Sequence, residues 1–228
     1  MRKIGFVGVY DKTDLILCIA KVLACVGKKV CILDATTTQK CKYVVPVLNP
    51  TRSYITNFDD IDVGVGFENM EELRQYLGLE NDEPIDYDII LIDVDDYGAF
   101  MNFDLANSDK LYYATSFDLY SLKKGIQLLK EINKPLKMTK IYFSKEMLDE
   151  EEQYFDYLTL GLRIVWTQEK VGFFLENGDQ AALIENQRVE KIKLKNMSNV
   201  YRENVEFMVN LIDNTIGKKK IKDVIKNL

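Results

Sequence analysis

Short apolar runs alternate with helical patterns of apolar residues along most of this chain. Residues 3–9 and 29–33 have the apolar content of strands, and residues 13–26 place an apolar stripe on one face of a helix. Gly27 lies where a glycine commonly ends a helix. The first part of the chain therefore predicts a strand–helix–strand unit.

The alternation resumes at residue 70, after a loop-rich stretch. Further strands are predicted at residues 87–94, 110–116, 140–143 and 162–167, with a short edge strand at 192–195. Helices are predicted at residues 70–79 and 118–132, around the acidic run Glu150-Glu151-Glu152, and at 199–216. Repeated alternation predicts an α/β fold with a mostly parallel central sheet and helices on both faces. We expect one α/β domain over residues 1–216, followed by a basic amphipathic segment over residues 217–228.

Composition narrows the class of protein. A hydrophobic fraction of 47% supports a substantial core, and a net charge of −6 argues against binding nucleic acid through the whole surface. The chain has no histidine, which excludes catalysis and zinc binding through imidazole. Neither a signal peptide nor a membrane-spanning apolar run is evident, so we expect a cytoplasmic protein.

The four cysteines all lie in the first 41 residues, and no pair has C-x-x-C spacing. They are Cys18, Cys25, Cys31 and Cys41. We interpret them as buried apolar side chains in a reducing compartment, with a metal site or a disulfide as the alternative.

Residues 5–14, GFVGVYDKTD, partly match a phosphate-binding loop. Such loops have the pattern G-x-x-x-x-G-K-[ST]: backbone N–H groups surround phosphates, the lysine reaches the outer phosphates and the hydroxyl binds Mg²⁺. Lys12 and Thr13 supply the last pair, but Asp11 replaces the final glycine and Phe6 replaces the first. The loop follows the first strand, at the edge of a parallel sheet where ligands bind. The motif is half present in the expected place.

Several segments together resemble the ParA/MinD family of P-loop ATPases, over most of the chain to about residue 214. The family's phosphate loop and helix are followed by G-[KR]-[KR]-V and a strand ending in Asp, and residues 27–34 are GKKVCILD. Residues 86–96, DYDIILIDVDD, resemble the family's Walker B strand, and residues 111–129 resemble a later strand, polar turn and helix. The resemblance implies a P-loop NTPase-like fold.

The resemblance also implies a set of cofactor-binding residues, with ATP and magnesium as the cofactors. They are Lys12, Thr13, Asp34 and Asp93. Lys12 would bind the β- and γ-phosphates. Thr13 would bind Mg²⁺ directly, and Asp93 would bind it through a water molecule.

Four positions depart from the family pattern. Val7 stands where the family has a signature lysine that crosses a dimer to the partner's nucleotide, and Asp11 replaces a glycine. Thr36 replaces the second Asp of a D-x-D strand end, and Ser144-Lys145 stands where an adenine-contacting Asn is usual. We therefore expect a degenerate member that binds no cofactor and acts as a non-enzymatic scaffold or positioning factor for a membrane machine or DNA element. A slow Mg-ATP-binding ATPase is the alternative.

Each candidate residue also has a structural interpretation. Lys12 and Thr13 would fit an ordinary helix start, and Asp34 would fit a cap of the following turn. Asp93 would fit a strand end beside a solvated acidic turn. Four aromatic residues fit core and rim packing better than a base-stacking platform; they are Tyr112, Tyr113, Phe117 and Tyr120.

The end of the chain combines apolar and basic residues. Ile221, Val224, Ile225 and Leu228 fall on one helical stripe, accompanied by five lysines. The MinD branch ends in a similar helix that lies on lipid, so the resemblance implies contact of residues 217–228 with an anionic membrane surface. The alternative is a terminal helix packed on the domain. We also expect a protein partner, and a homodimer weaker than one bridged by nucleotide.

Overall fold

A single sheet forms the centre of the protein. The computed structural model describes residues 1–47, 52–80, 83–144 and 149–228, and within them eight strands have the order β3-β4-β2-β5-β1-β6-β7-β8. The strands are β1 Arg2–Val7, β2 Val30–Asp34, β3 Tyr54–Phe58, β4 Ile61–Val65, β5 Ile89–Val94, β6 Lys110–Ser116, β7 Leu136–Ser144 and β8 Ile164–Phe174. Every neighbouring pair is parallel except β3 and β4. The predicted α/β class with a mostly parallel sheet is confirmed.

Helices cover both faces of this sheet. The α-helices in the described residues are α1 Thr13–Cys25, α2 Cys41–Val44, α3 Met70–Tyr76, α4 Tyr97–Asn102, α5 Leu119–Ile132, α6 Asp149–Leu158, α7 Asn177–Arg188, α8 Asn199–Ile212 and α9 Lys218–Asn227. One apolar core lies between the sheet and α1, α2, α7, α8 and α9. A second core lies between the opposite face and α3, α4, α5 and α6.

Local sequence explains the elements with strong apolar patterns. All six residues of β5 are buried, as expected for a parallel strand covered on both faces. Helix α5 begins after Asp118, whose side chain accepts a hydrogen bond of 2.9 Å from the Ser121 N–H. Gly27 follows α1 with a φ of +95°, which favours glycine.

Two predictions about loops and strands were wrong. The loop-rich stretch contains the hairpin β3–β4, whose turn residues Asp59 and Asp60 have φ angles of 49° and 66°. Lys21 Nζ from α1 donates to Asp59 O at 2.6 Å, so a distant helix holds this turn. Residues 192–195 form no strand, because Leu194–Asn196 is a 3₁₀ turn whose Leu194 is buried in the first core.

The cysteines agree with the sequence interpretation only in part. Cys18, Cys31 and Cys41 are buried, but Cys25 is exposed at the end of α1. All four are free thiols. Within the described part of the chain, no cluster of three or more histidine, cysteine or acidic residues could hold a metal ion.

The basic end of the chain packs on the domain. Helix α9 buries Ile221 and Ile225 in the first core, and Lys220 Nζ donates to Val26 O at 2.8 Å. The predicted helix 199–216 ends earlier, at Ile212, because Asp213 adopts an extended backbone and binds groups of the domain. No described helix has the length and apolar character needed to cross a membrane.

Candidate functional site

A cleft of about 610 Å³ opens at the carboxyl ends of the central strands. Its walls are the loops that follow β1, β2 and β5, at residues 8–13, 36–40 and 95–96. Lys12, Thr13 and Asp93 line it, and Asp34 pairs with Asp93 in the β2–β5 register. The structure therefore brings all four sequence-predicted site residues together.

The loop between β1 and α1 depends on Gly8. Its φ is +137°, and a Cβ there would lie 2.0 Å from Ala114 O. Its carbonyl accepts a hydrogen bond of 2.7 Å from Lys12 Nζ. Among loop residues 8–13, only Gly8 has a positive φ, so Asp11 does not take a conformation that requires glycine.

Lys12 and Asp93 form a buried ion pair. Lys12 Nζ lies 2.5 Å from Asp93 Oδ1, and the two residues are only 2% and 3% exposed. Burial raises the pKa of Asp93 above its ordinary range, and the Lys12 ammonium offsets part of that rise. Asp93 lies at the end of β5 beside the partly exposed Asp95 and Asp96, as its structural interpretation proposed, but it is itself buried. The lysine that would reach a phosphate is thus bonded to two groups of the cleft lining, Asp93 and the Gly8 carbonyl.

Asp11 holds the start of helix α1. Asp11 Oδ1 accepts from the Thr13 N–H at 3.1 Å, and Asp11 Oδ2 pairs with Lys40 Nζ at 2.6 Å. Lys40 also pairs with Asp14 at 3.2 Å. Although burial alone would raise it, Lys40 and the Thr13 N–H lower the pKa of Asp11, which stays ionised at neutral pH. A carboxylate of the chain thus occupies the position where a helix N-terminus attracts anions.

Asp34 organises the loop after β2. Its Oδ1 accepts from the Thr36 hydroxyl at 2.6 Å and from the Thr36 N–H at 3.1 Å, while its Oδ2 accepts from the Cys41 N–H at 2.8 Å. Next to it, both oxygens of Asp95 accept from Thr37. Asp34 therefore caps the following turn, as its structural interpretation proposed.

The charges around the cleft are unbalanced. Four carboxylates line it, namely Asp11, Asp93, Asp95 and Asp96. Three lysines line it as well, namely Lys12, Lys40 and Lys124. With every group ionised, the lining has an excess of one negative charge, and burial raises the pKa of Asp93 to about 7.

Sequence reasoning missed Lys40, Asp14 and Asp95 as parts of this site. Lys40 reaches Asp11 across 29 positions of the chain, and no short motif marks such a contact. Of the positions that depart from the family pattern, Val7 is fully buried in β1 and Thr36 bonds to Asp34. Lys145 lies outside the described residues.

The aromatic residues agree with core and rim packing. Tyr112 and Tyr113 are buried, and Phe117 stacks on Tyr142 with ring centres 5.2 Å apart. Tyr120 stands on the rim of the cleft.

This sheet order, with a loop and helix directly after its central strand, is the fold of the ParA/MinD family ATPases. No protein-family model and no curated protein matches the sequence. Among solved structures, the chain is similar to an ATP complex of a McdA variant from Cyanothece, with 11% identity and a TM-score of 0.58 over 93% of this chain and 96% of that one.

Two further solved structures are similar over almost their whole length. A plasmid partition protein of Borrelia burgdorferi is 14% identical with a TM-score of 0.53, over 94% of this chain and 99% of that one. A chain of the MinC:MinD cell division protein complex of Aquifex aeolicus is 14% identical with a TM-score of 0.52, over 100% and 95%. At such identities the likeness establishes the fold alone.

Proposed function

We propose that this chain is a ParA/MinD-like positioning protein that neither binds nor hydrolyses a nucleoside triphosphate. It acts as a non-enzymatic scaffold or positioning factor for a membrane machine or a DNA element, through a protein partner. The observation that carries the proposal is the buried pair of Lys12 and Asp93. The names of similar solved proteins, which refer to cell division and plasmid partition, support the positioning role.

Lys12 is not available to a phosphate in this arrangement. To reach a phosphate, its ammonium would have to leave Asp93 and the Gly8 carbonyl, which lie 2.5 Å and 2.7 Å away. Because the pair is buried, separating it leaves the Asp93 charge without a counter-ion unless a proton or a metal ion replaces the ammonium. A triphosphate would have to offset that cost in addition to its own desolvation.

Charge also disfavours a nucleotide. A nucleoside triphosphate would enter a cleft lined by four carboxylates, of which Asp93 and Asp11 are already paired with Lys12 and Lys40. Asp11 lies on the helix N-terminus that would otherwise bind phosphate, and its counter-ion is Lys40. Like charges at short range in a poorly solvated pocket repel by several kcal/mol. The residues therefore do not fit Mg-ATP in this arrangement.

The alternative function is a slow ATPase in which Lys12, Thr13, Asp34 and Asp93 bind Mg-ATP. The cleft volume of about 610 Å³ and the ATP-bound state of a similar structure favour it. In that case Lys12 would exchange Asp93 for phosphate, and Asp93 would become free to bind the water of Mg²⁺.

A thermal-shift assay with and without Mg-ATP decides between the two functions. Binding at a hundredfold excess over Kd would stabilise the fold by about 2.7 kcal/mol. We expect no change in Tm at millimolar Mg-ATP relative to MgCl₂ alone, and no phosphate release. A saturating rise in Tm specific to ATP would refute the proposal and support the ATPase.

Membrane contact through residues 217–228 remains part of the proposal in a restricted form. Because Ile221 and Ile225 are buried, only the exposed lysines of α9 are available to an anionic surface while the helix stays packed. Apolar insertion would require α9 to leave the domain. Homodimer formation, if it accompanies the function, does not depend on nucleotide.

A further inference from the structure

Another cavity lies at the edge of the sheet opposite to the cleft. Its volume is about 410 Å³, and its walls come from the amino ends of β6 and β7, the turn before β6, the middle of β8 and Leu211 of α8. Strands β6 and β7 run parallel to β1, β2 and β5, whose carboxyl ends form the cleft, so the two sites lie at opposite edges. The proposed function does not involve this cavity.

Two buried hydroxyl groups of its lining have no hydrogen-bond partner in the part of the chain that the structure describes. They are Tyr112 Oη on β6 and Ser108 Oγ in the turn before it. Burial raises the pKa of Tyr112, and the Glu169 carboxylate raises it further, so this hydroxyl keeps its proton at neutral pH and can donate it. Because a buried polar group without a partner destabilises the fold, a ligand atom that accepts these bonds is favoured.

Two lysines lie on the same wall of the cavity as Tyr112. Tyr112 pairs with Thr139 in the β6–β7 register, and Lys110 and Lys137 each precede that pair by two positions. Residues two apart on a strand share a face of the sheet, so both lysines share this one. Within the described ranges, neither ammonium group forms an ion pair. Two like charges on one wall repel each other, and an anion between them relieves that repulsion.

The lining also contains two carboxylates. Asp109 Oδ2 accepts a hydrogen bond of 2.7 Å from the Lys3 N–H, so it is already bonded to β1. Glu169 lies close enough to Tyr112 to raise the pKa of its hydroxyl. With every group ionised the lining is neutral, so the position of the two lysines and the hydroxyl donors, and not the total charge, determines which ligand fits.

We propose that this cavity binds a small soluble phosphomonoester, with its phosphate between Lys110 and Lys137 and one phosphate oxygen accepting from the Tyr112 hydroxyl. A phosphate has one more acceptor oxygen than a carboxylate and carries about two negative charges at neutral pH. It therefore matches two ammonium groups and two hydroxyl donors. The inference does not depend on the proposed function, because the cavity and the cleft share no lining residue in the described part of the chain.

The test titrates the full chain with glycerol 3-phosphate at constant ionic strength, with inorganic phosphate as the minimal probe and glycerol as the uncharged control. The tyrosine rings are labelled, and the Tyr112 NMR signal is assigned with the Tyr112→Phe variant. We expect saturable shifts at Tyr112 with a Kd at or below about 1 mM, and none with glycerol. Absence of saturation at about 10 mM would overturn the inference, as would shifts confined to Tyr10 and Tyr120 at the cleft.

Substitutions with effects of opposite sign locate the phosphate. Lys110→Gln/Lys137→Gln should weaken glycerol 3-phosphate binding at least tenfold. Lys42→Gln/Lys123→Gln is the matched control, because it removes two exposed lysines that do not line the cavity. Glu169→Gln should tighten binding, since it removes a negative charge from the lining. Equal loss in the two lysine variants, or weaker binding in Glu169→Gln, would contradict the proposal.

Tyr112→Phe separates binding from folding. It removes a hydroxyl that has no partner among the described residues, so Tm should stay the same or rise slightly. Calorimetry should nevertheless show glycerol 3-phosphate binding weakened several-fold. Unchanged binding in this variant would overturn the proposed placement of the phosphate.

Vesicles that contain phosphatidic acid distinguish a lipid headgroup from a free phosphomonoester. We expect glycerol 3-phosphate to shift Tyr112 whether or not vesicles are present. Sedimentation with the vesicles that Lys110→Gln/Lys137→Gln abolishes, without any Tyr112 shift from glycerol 3-phosphate, would assign the lysines to a membrane surface and overturn the proposal.

Discussion

At Asp11 the chain places a carboxylate where a phosphate-binding loop presents only backbone N–H groups. The carboxylate accepts the Thr13 N–H and pairs with Lys40, so the first turn of α1 has an anion and its counter-ion without any ligand. The Lys12 ammonium separately forms an ion pair with Asp93 and donates a hydrogen bond to the Gly8 carbonyl. Side chains and one carbonyl of the chain thus bond to the Thr13 N–H, to Lys12 and to Lys40 without any ligand.

Replacing Asp11 should restore part of the missing affinity for nucleotide. Asp11→Gly removes the competing charge and one of the two carboxylate partners of Lys40, so we expect Mg-ATP binding at least tenfold tighter than in the unmodified chain, measured by calorimetry. Asp11→Asn removes the charge but keeps a side-chain acceptor, and it should fall between the two.

Val7→Lys is the comparison for that experiment. Val7 is fully buried among the side chains of the second core, so a lysine there should cost several kcal/mol of folding free energy and give no gain in ATP affinity. Equal failure of Asp11→Gly and Val7→Lys would show that the geometry of the loop has changed more deeply than at Asp11.

Helices and strands followed the sequence prediction where local pattern determines them. Strand β6 has the predicted bounds, and α5 at Leu119–Ile132 differs from the predicted helix 118–132 by one residue. The hairpin β3–β4 could not be predicted in this way, because its left-handed turn at Asp59 and Asp60 is held by Lys21. The same limit applies to the site. Local motifs indicated Lys12 and Asp93, whereas Lys40 acts through contacts distant in sequence.

Asp213, between α8 and α9, should make the free energy of unfolding fall at acidic pH. Asp213 is buried, and it pairs with Arg2 at 2.9 Å and with Lys28 at 3.0 Å. Although burial alone would raise it, bonds from Thr215 and Lys28 hold the pKa of Asp213 well below its usual range. In the unfolded chain the pKa of an aspartate is about 4, and in the folded protein that of Asp213 is lower. The contribution of the Asp213 charge to folding free energy is therefore complete above about pH 4 and is lost as the pH falls below that value.

Asp213→Asn tests that linkage. At pH 7 we expect it to reduce the free energy of unfolding by about 2–4 kcal/mol, since both partner side chains remain partly exposed. The difference from the unmodified chain, measured by urea unfolding, should shrink below about pH 4. Asp223→Asn, at an exposed position of α9, is the control and should change little. A difference that stays constant down to pH 2 would contradict the role of the Asp213 charge.

Helix α9 should behave as part of the domain. Ile221→Ala should cost about 2–5 kcal/mol of folding free energy, whereas Lys222→Ala on the exposed face should be close to neutral. Because only the lysines of the packed helix are available to lipid, we expect binding to anionic vesicles at low salt that is lost at physiological salt. Sedimentation that persists at physiological salt and disappears on removing residues 217–228 would instead show that this helix leaves the domain to bind lipid.

For the whole molecule, we expect that self-association into a homodimer does not depend on nucleotide. Dimers that sandwich nucleotide gain stability from the bridging ligand and the crossing lysine, and this chain has the buried Val7 at that lysine's position. Light scattering should therefore give the same molar mass with and without Mg-ATP. A monomer that becomes a dimer only when ATP is added would be incompatible with this view.

The most direct measurement is a crystal structure of the protein grown with millimolar Mg-ATP. We predict that Lys12 Nζ remains on Asp93, that Asp11 remains bonded to the Thr13 N–H, and that no nucleotide density fills the cleft. A triphosphate bonded to the backbone N–H groups of residues 8–13, with Lys12 moved from Asp93 to its phosphates, would contradict the central claim.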